Sequence, residues 1–305
     1  MIIILPDFKG LCYTVQNMNS QQLLFETSPF IKPASLPVHD SFYTNGYTTF
    51  SEITSIEDAL QKCQKFIGSL DGSRLPLLSS ALSRIQPAKV DRIPVCDEIV
   101  QTGFQALHFD MGQPFLAEQA QTMYLISALY RPTSSEPNSE AKTRLVNLEK
   151  LLSQKSFGSK GEVEQKFTHY VSQYGDGWHE PEFHNTQRLA IFARVIDAVS
   201  GLNKMTEKID TMIGQCFEYD ESQKGNYGLK QETDFFAQAG LDLKKVEEQI
   251  EIKPGQLLIF DNLRCVHGRI GKRKKQELYN FIFGVKKAAE NEIDNYRDWM
   301  INQLI

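Results

Sequence analysis

Apolar positions along the chain gather into segments of distinct period, separated by Pro-, Gly- and Ser-containing stretches. SIEDALQKCQKFIGSL (55–70) sets Ile56, Ala59, Leu60, Cys63 and Phe66–Ile67 on one stripe at helical spacing, with Ser55 as a cap and Glu57 and Asp58 in the first turn. NGYTTF (45–50) predicts a turn running into a strand. FQALHFDMGQPF (104–115) contains a strand bounded by Gly103 and Gly112. TMYLISALYRP (122–132) is apolar without alternation, which suits a central strand. KTRLVNLEKLLS (142–153) predicts a strand entering a helix, and QRLAIFARVIDAVSGL (187–202) a helix. After a KPG turn, QLLIFDN and LYNFIFGV predict two strands, and residues 289–305 a C-terminal helix. MIIILP predicts a short first strand, and the Pro-bearing stretch that ends near residue 98 predicts no element. Strands on either side of a helical middle imply a mainly β core with helices, closed by segments distant in sequence. We therefore expect one domain over residues 1–305, with 155–235 as a helical insertion or lid within it.

Composition narrows the class without choosing a function. A chain of 305 residues, 41% apolar and 23% charged, buries a sizeable core as an ordinary globular protein. The formal charge of −5 argues against a general nucleic-acid binder, so the basic run GKRKK (271–275) needs a local explanation. The five cysteines form no CxxC pair, and an odd count in a long chain fits a reducing compartment. MIIILP has no basic flank and stops at Pro6 and Asp7, unlike a signal peptide or membrane span; the expected setting is the cytoplasm, with no membrane partner.

The candidate chemistry begins at His108 and Asp110. In a strand, residues two apart face the same way, so an imidazole and a carboxylate converge while Leu107, Phe109 and Met111 pack behind them. By the same parity Gln105 falls on the face opposite His108, and Phe104 on its own face. The converging pair is two-thirds of the 2-His-1-carboxylate triad, which leaves cis positions of octahedral Fe(II) open for co-substrate and oxygen. The alternative is a satisfied core histidine beside a chance aspartate. For the third ligand, His169 lies in the helical region and His179 and His184 in the insert. His267, which follows a strand and the polar DNLRC and precedes Gly268, is the best placed. An oxygen-activating Fe(II) site needs two further electrons, which a bidentate 2-oxo acid provides by decarboxylation if a cation holds its distal carboxylate. Arg269 and Arg273 follow His267 closely, and an arginine fork suits a carboxylate better than a lysine does. For Lys272, Lys274 and Lys275 a solvated hairpin turn is the competing reading.

LHFDMGQPF together with KPGQLLIFDNLRCVHGRIGKRKKQELYNFIFG resembles the Fe(II)/2-oxoglutarate-dependent oxygenases, in particular the taurine dioxygenase and clavaminate synthase-like superfamily. The matching blocks cover about residues 100–150 and 250–285. The resemblance implies a double-stranded β-helix (jelly-roll, cupin-like) core in an α+β chain, with iron on His108, Asp110 and His267. It implies 2-oxoglutarate contacts at Thr143 and Arg273, with Arg269 kept beside Arg273 because the interval from His267 is shorter than the family usually shows. It further implies a dioxygenase that converts 2-oxoglutarate and O2 to succinate and CO2 while oxidising a C–H bond, by hydroxylation, desaturation or ring closure. Related halogenases replace the carboxylate ligand with a small residue, so Asp110 speaks against halogenation.

For the substrate, YGDGWHEPEFHNTQR (174–188) is a polar-aromatic stretch of the kind that forms binding loops, and also the kind that merely caps a helix. Trp178, Glu180, His184 and Arg188 are its candidates, joined by Gln113 and Tyr124 near the proximal strand. Carboxylates, arginines and aromatics together suit a small zwitterion such as an amino acid. Alternatives are a protein or peptidyl hydroxylase, a metal hydrolase using the same ligands, and a non-catalytic jelly-roll metal-binding protein.

Overall fold

The computed structural model describes residues 37–93, 104–109, 123–135, 141–175, 191–202, 227–271, 277–286 and 289–305. Their strands are β1 (Tyr47–Phe50), β2 (Gln86–Ile93), β3 (Phe104–His108), β4 (Met123–Arg131), β5 (Lys142–Asn147), β6 (Glu247–Ile250), β7 (Gln256–Asp261), β8 (Cys265–Ile270) and β9 (Leu278–Val285). Their helices are α1 (Pro37–Asn45), α2 (Ile56–Gly68), α3 (Leu148–Leu152), α4 (Lys160–Gly175), α5 (Ile191–Ser200), α6 (Tyr227–Gln238) and α7 (Glu290–Leu304). MIIILP lies outside the described residues. Among the described residues, no helix is long and apolar enough to cross a membrane.

The strands form two antiparallel sheets, ordered β1-β7-β4-β9-β2 and β3-β8-β5-β6. The pairing is nested: β2 with β9, β3 with β8, β4 with β7, β5 with β6. From β2 to β5, and again from β6 to β9, successive strands alternate between the sheets. The sheets meet through Leu129, Leu258, Phe260 and Leu278 of the five-stranded sheet and Leu145 and Cys265 of the four-stranded one. Each of these leucine and phenylalanine side chains contributes about 1.5–3 kcal/mol when fully buried. The outer face of the larger sheet carries Ile126, Ala128, Ile259 and Phe281 into a larger core that includes Phe66 and Ile67 of α2. Val146 and Val266, on the outer face of the smaller sheet, join the same core as Phe167 of α4, Ile196 of α5 and Phe236 of α6.

Local chemistry fixes several elements. Ser55 accepts the Asp58 N–H at 3.1 Å and caps α2, as its sequence implies. Gly284 stands opposite Tyr124 where β4 bulges, and a Cβ there would lie 2.1 Å from the Met123 carbonyl oxygen, so only glycine fits. Helix α1 and strand β2 are among the elements with no counterpart in the apolar pattern of the sequence. Helix α1 occupies a stretch of broken apolar runs, and β2 carries Pro87, Lys89, Asp91 and Arg92. β2 is an edge strand, where a proline costs no ladder bond, and its register shifts between Pro87 and Lys89.

At the start of α7 the buried Glu292 accepts the Ala289 N–H at 2.8 Å and the Ser80 hydroxyl at 3.1 Å, and pairs with Arg84. Burial pushes its carboxyl up, but the Arg84, Ala289 and Ser80 hydrogen bonds win and hold it below the usual glutamate value. With the folded pKa below the unfolded one, this stabilisation is complete above the ordinary glutamate range, about pH 4.3, and is lost as pH falls through the folded value. Glu292→Gln should therefore lose stability at neutral pH and converge on the wild type in acid. Urea midpoints across a pH series test this, and a constant offset would contradict it.

Candidate metal and 2-oxo-acid site

The site lies on the inner face of the smaller sheet, where β3, β8 and β5 run side by side. His108 of β3 stands directly opposite His267 of β8, and Leu145 of β5 flanks His267 on the other side. The imidazole centroids are 4.2 Å apart, inclined at 46°, and each histidine is 7% exposed. From the facing sheet the Phe260 ring lies 4.8 Å from the His267 ring and closes the pair off with apolar surface. Two residues along β8, Arg269 stands opposite Thr143 of β5 and opposite Gln105 of β3. That second row is about 7 Å from the histidine row.

A bulge in β3 brings His108 onto this face. Gln105 pairs with Arg269 and His108 with His267, so three steps along β3 span two along β8. Strict alternation put Gln105 on the face away from His108; the bulge reverses that relation, and Gln105 shares the inner face. Phe104, expected in parity with His108, pairs instead with Ile270. Extra residues of this kind re-aim side chains near sites.

The larger sheet supplies polar groups that sequence reading did not single out. Ser127 pairs with Phe260 and so shares its inner face; it is fully buried, and its hydroxyl has no hydrogen-bond partner among the described residues. The buried Asn280 Oδ1, opposite Leu129 on the same face, also has none. Arg131, opposite Gln256, is fully buried and donates from Nη1 to the Ile252 carbonyl at 2.9 Å. Burial lowers its pKa, against Glu251. The only signal for Ser127 was a small polar residue inside the apolar run LISAL of β4. Tyr124, a candidate substrate contact, stands opposite Gly284 on this sheet, and its carbonyl accepts from Asn262 Nδ2 at 3.3 Å.

Behind the histidines, on the outer face of the smaller sheet, lies a buried ionic cluster. Arg144, opposite Gly268, is fully buried; its Nη2 lies 2.6 Å from Glu232 of α6 and 2.5 Å from Glu247 of β6. Glu232 also accepts the Leu107 N–H of β3 at 2.8 Å. Burial pushes the Glu232 carboxyl up, against the pull of Arg144 and of that amide.

Asp110, Gln113, Trp178, Glu180, His184, Arg188 and Arg273 lie outside the described residues. Among the described residues, no group of three His, Cys, Asp or Glu side chains is close enough to hold a metal. The groups that are present nonetheless fit one. Two imidazoles converge in a water-poor recess, the donor type that suits Fe, Zn, Cu and Ni. Beside them stand an arginine, a threonine and the unsatisfied Ser127 hydroxyl, which suit a carboxylate-bearing ligand.

No protein-family model matches the chain, and no curated protein matches it. Solved structures with some likeness include a variant of the non-heme iron oxygenase OrfP in complex with (3S)-hydroxy-L-Arg, at 16% identity and TM-score 0.34, covering 83% of this chain and 80% of that one. Another is a Burkholderia xenovorans protein named as a candidate alpha-ketoglutarate-dependent 2,4-D dioxygenase, at 13% identity and TM-score 0.31, covering 76% of this chain and 90% of that one. Likenesses this weak bear on neither fold nor chemistry.

Proposed function

We propose that the chain is an Fe(II)/2-oxoglutarate-dependent oxygenase acting on a C–H bond of a small polar molecule. The observation that carries this reading is the buried pair His108–His267, in register on adjacent strands, with Arg269 and Thr143 one row away on the same face. The nested strand pairing supports the companion reading of the core as a double-stranded β-helix within one domain, the segment 155–235 being inserted into it. In this proposal His108, His267 and Asp110 hold the iron. When bound, Fe(II) with 2-oxoglutarate and O2 supplies the oxidising power, decarboxylation to succinate providing the two electrons that the substrate does not. The histidines ligate as neutral imidazoles, so acid competes with the metal for them. Arg269 grips the distal carboxylate with Thr143 beside it; the row spacing of about 7 Å is comparable to the reach of an extended five-carbon diacid. Phe260 excludes water from the histidine pair.

Anaerobic titration with Fe(II) and 2-oxoglutarate tests this directly. A weak visible metal-to-ligand charge-transfer band should appear only when both are present. Folded, iron-loaded protein without that band would overturn the assignment. Arg269→Ala should weaken 2-oxoglutarate binding about 10–100-fold, the worth of a charge-assisted contact. A larger loss in Arg273→Ala would move the clamp to that residue.

A further inference from the structure

The bulge that aims His108 has an identifiable keeper. Were β3 to continue from the Gln105–Arg269 pair without the extra residue, Leu107 would stand opposite His267, and His108 would turn to the outer face. A bulge leaves an amide outside the regular ladder, and a buried amide without an acceptor is costly. Here the Leu107 N–H is accepted at 2.8 Å by Glu232 Oε1 from α6, 125 residues away in sequence. Glu232 is 1% exposed, and its other oxygen lies 2.6 Å from Arg144 Nη2, so the carboxylate is held between strand and cation. Gly268 stands opposite Arg144 in the ladder, so the guanidinium side of that row meets no side chain on β8.

We propose that Glu232 is the positioning residue for His108: its hydrogen bond to the Leu107 amide stabilises the β3 bulge that places His108, rather than Leu107, across from His267. The proposal rests on the metal-site reading only for its functional consequence; the positional claim stands on the strand register.

The test separates the two. Opposed residues on paired strands lie within disulfide reach, so paired cysteines report the register without any metal. In the otherwise natural chain, His108→Cys/His267→Cys should crosslink under mild oxidation and Leu107→Cys/His267→Cys should not, read as linked peptides by mass spectrometry. Adding Glu232→Ala should reverse that preference. In the absence of cysteine substitutions, Co(II) is titrated and followed by its visible d–d absorption. Glu232→Ala should weaken Co(II) binding about 10–100-fold, the usual cost of losing an outer support of a ligand. Glu232→Gln keeps a carbonyl oxygen for the Leu107 amide but gives up the charge facing Arg144. It should lose thermal stability as Glu232→Ala does while retaining Co(II) affinity and the 108–267 crosslink, a split that a merely structural role would not produce. Should Glu232→Ala fail to fold, Glu232→Asp carries the same readouts, since it keeps the charge but withdraws the oxygen from the amide. A folded Ala or Asp variant with wild-type crosslinking and Co(II) affinity overturns the proposal, as does a Gln variant as impaired as Ala. If the natural chain binds no Co(II) but the crosslink still switches, the metal reading falls and the positioning role stands.

Discussion

His267→Ala is expected to abolish 2-oxoglutarate turnover and to weaken Fe(II) binding by more than the about 10–100-fold that loss of an outer support costs a metal site. His267 makes this the more damaging of the two histidine replacements because it is central: it faces His108 on one side, Leu145 on the other and Phe260 from the opposite sheet. Removing its ring leaves His108 in an apolar recess with no second imidazole. The fold should survive, because β8 remains paired along its length with β5 and over its second half with β3. Succinate formation and Co(II) titration, with a thermal melt as control, measure the effect. His39→Ala is the matched comparison: His39 bonds Ser69 at 2.7 Å and stacks on Phe66 of α2, so its loss should leave metal affinity unchanged. Retained Fe(II) affinity in folded His267→Ala would remove the basis for the proposed site.

What could be read from the chain depended on how local its cause is. Helix α2 was legible because its stripe, cap and acidic first turn all lie within sixteen residues. Strands β4, β7 and β9 were legible because burial on both faces imposes an apolar run that turns interrupt. Edge strands β2 and β6 lack that constraint, and Pro87 or the Glu247–Glu248 pair then masks them. That His108 and His267 meet was expected from the place of His267 after a strand and from the family resemblance, but their immediate geometry was not. Period-two reasoning placed Gln105 behind the site, and the bulge brings it to the front. No local signal announces that bulge, because its support comes from Glu232, which reads in KQETDFFAQ as an ordinary surface acid of an amphipathic helix. Arg144 was hidden in the same way, as a charged residue in a strand whose partner carboxylates lie far along the chain.

The largest stability effect is expected at Arg264, in the turn that delivers His267 to its strand. Its guanidinium donates to the Phe42 carbonyl at 2.9 Å and the Tyr43 carbonyl at 3.1 Å, near the end of α1, and to Asp261 Oδ2 at 3.0 Å. Asp261 is fully buried and also accepts the Leu263 and Arg264 amides, so one ion pair ties the β7–β8 turn to α1. Arg264→Met retains much of the apolar stem but leaves the Asp261 carboxylate buried without its cation, and takes the guanidinium from the Tyr43 carbonyl and from the Phe42 carbonyl, which keeps the Gly46 N–H. Breaking a buried pair from one side costs about 3–5 kcal/mol, whereas removing both charges costs less. Asp261→Asn added to Arg264→Met should therefore recover part of the loss, a non-additivity expected of residues in contact. The pH dependence gives the second signature. Burial already pushes the Asp261 carboxyl up against the pull of Arg264, and without the arginine it moves further up. The variant is therefore least impaired relative to the natural chain in acid, and the gap widens as pH rises from the natural folded-state pKa, itself above the unfolded value of about 3.9, to the variant's higher one. Urea denaturation of the single and double variants between acid and neutral pH measures all three effects. A loss under about 1 kcal/mol, within the range of an exposed ion pair, would show that the pair does not anchor the turn.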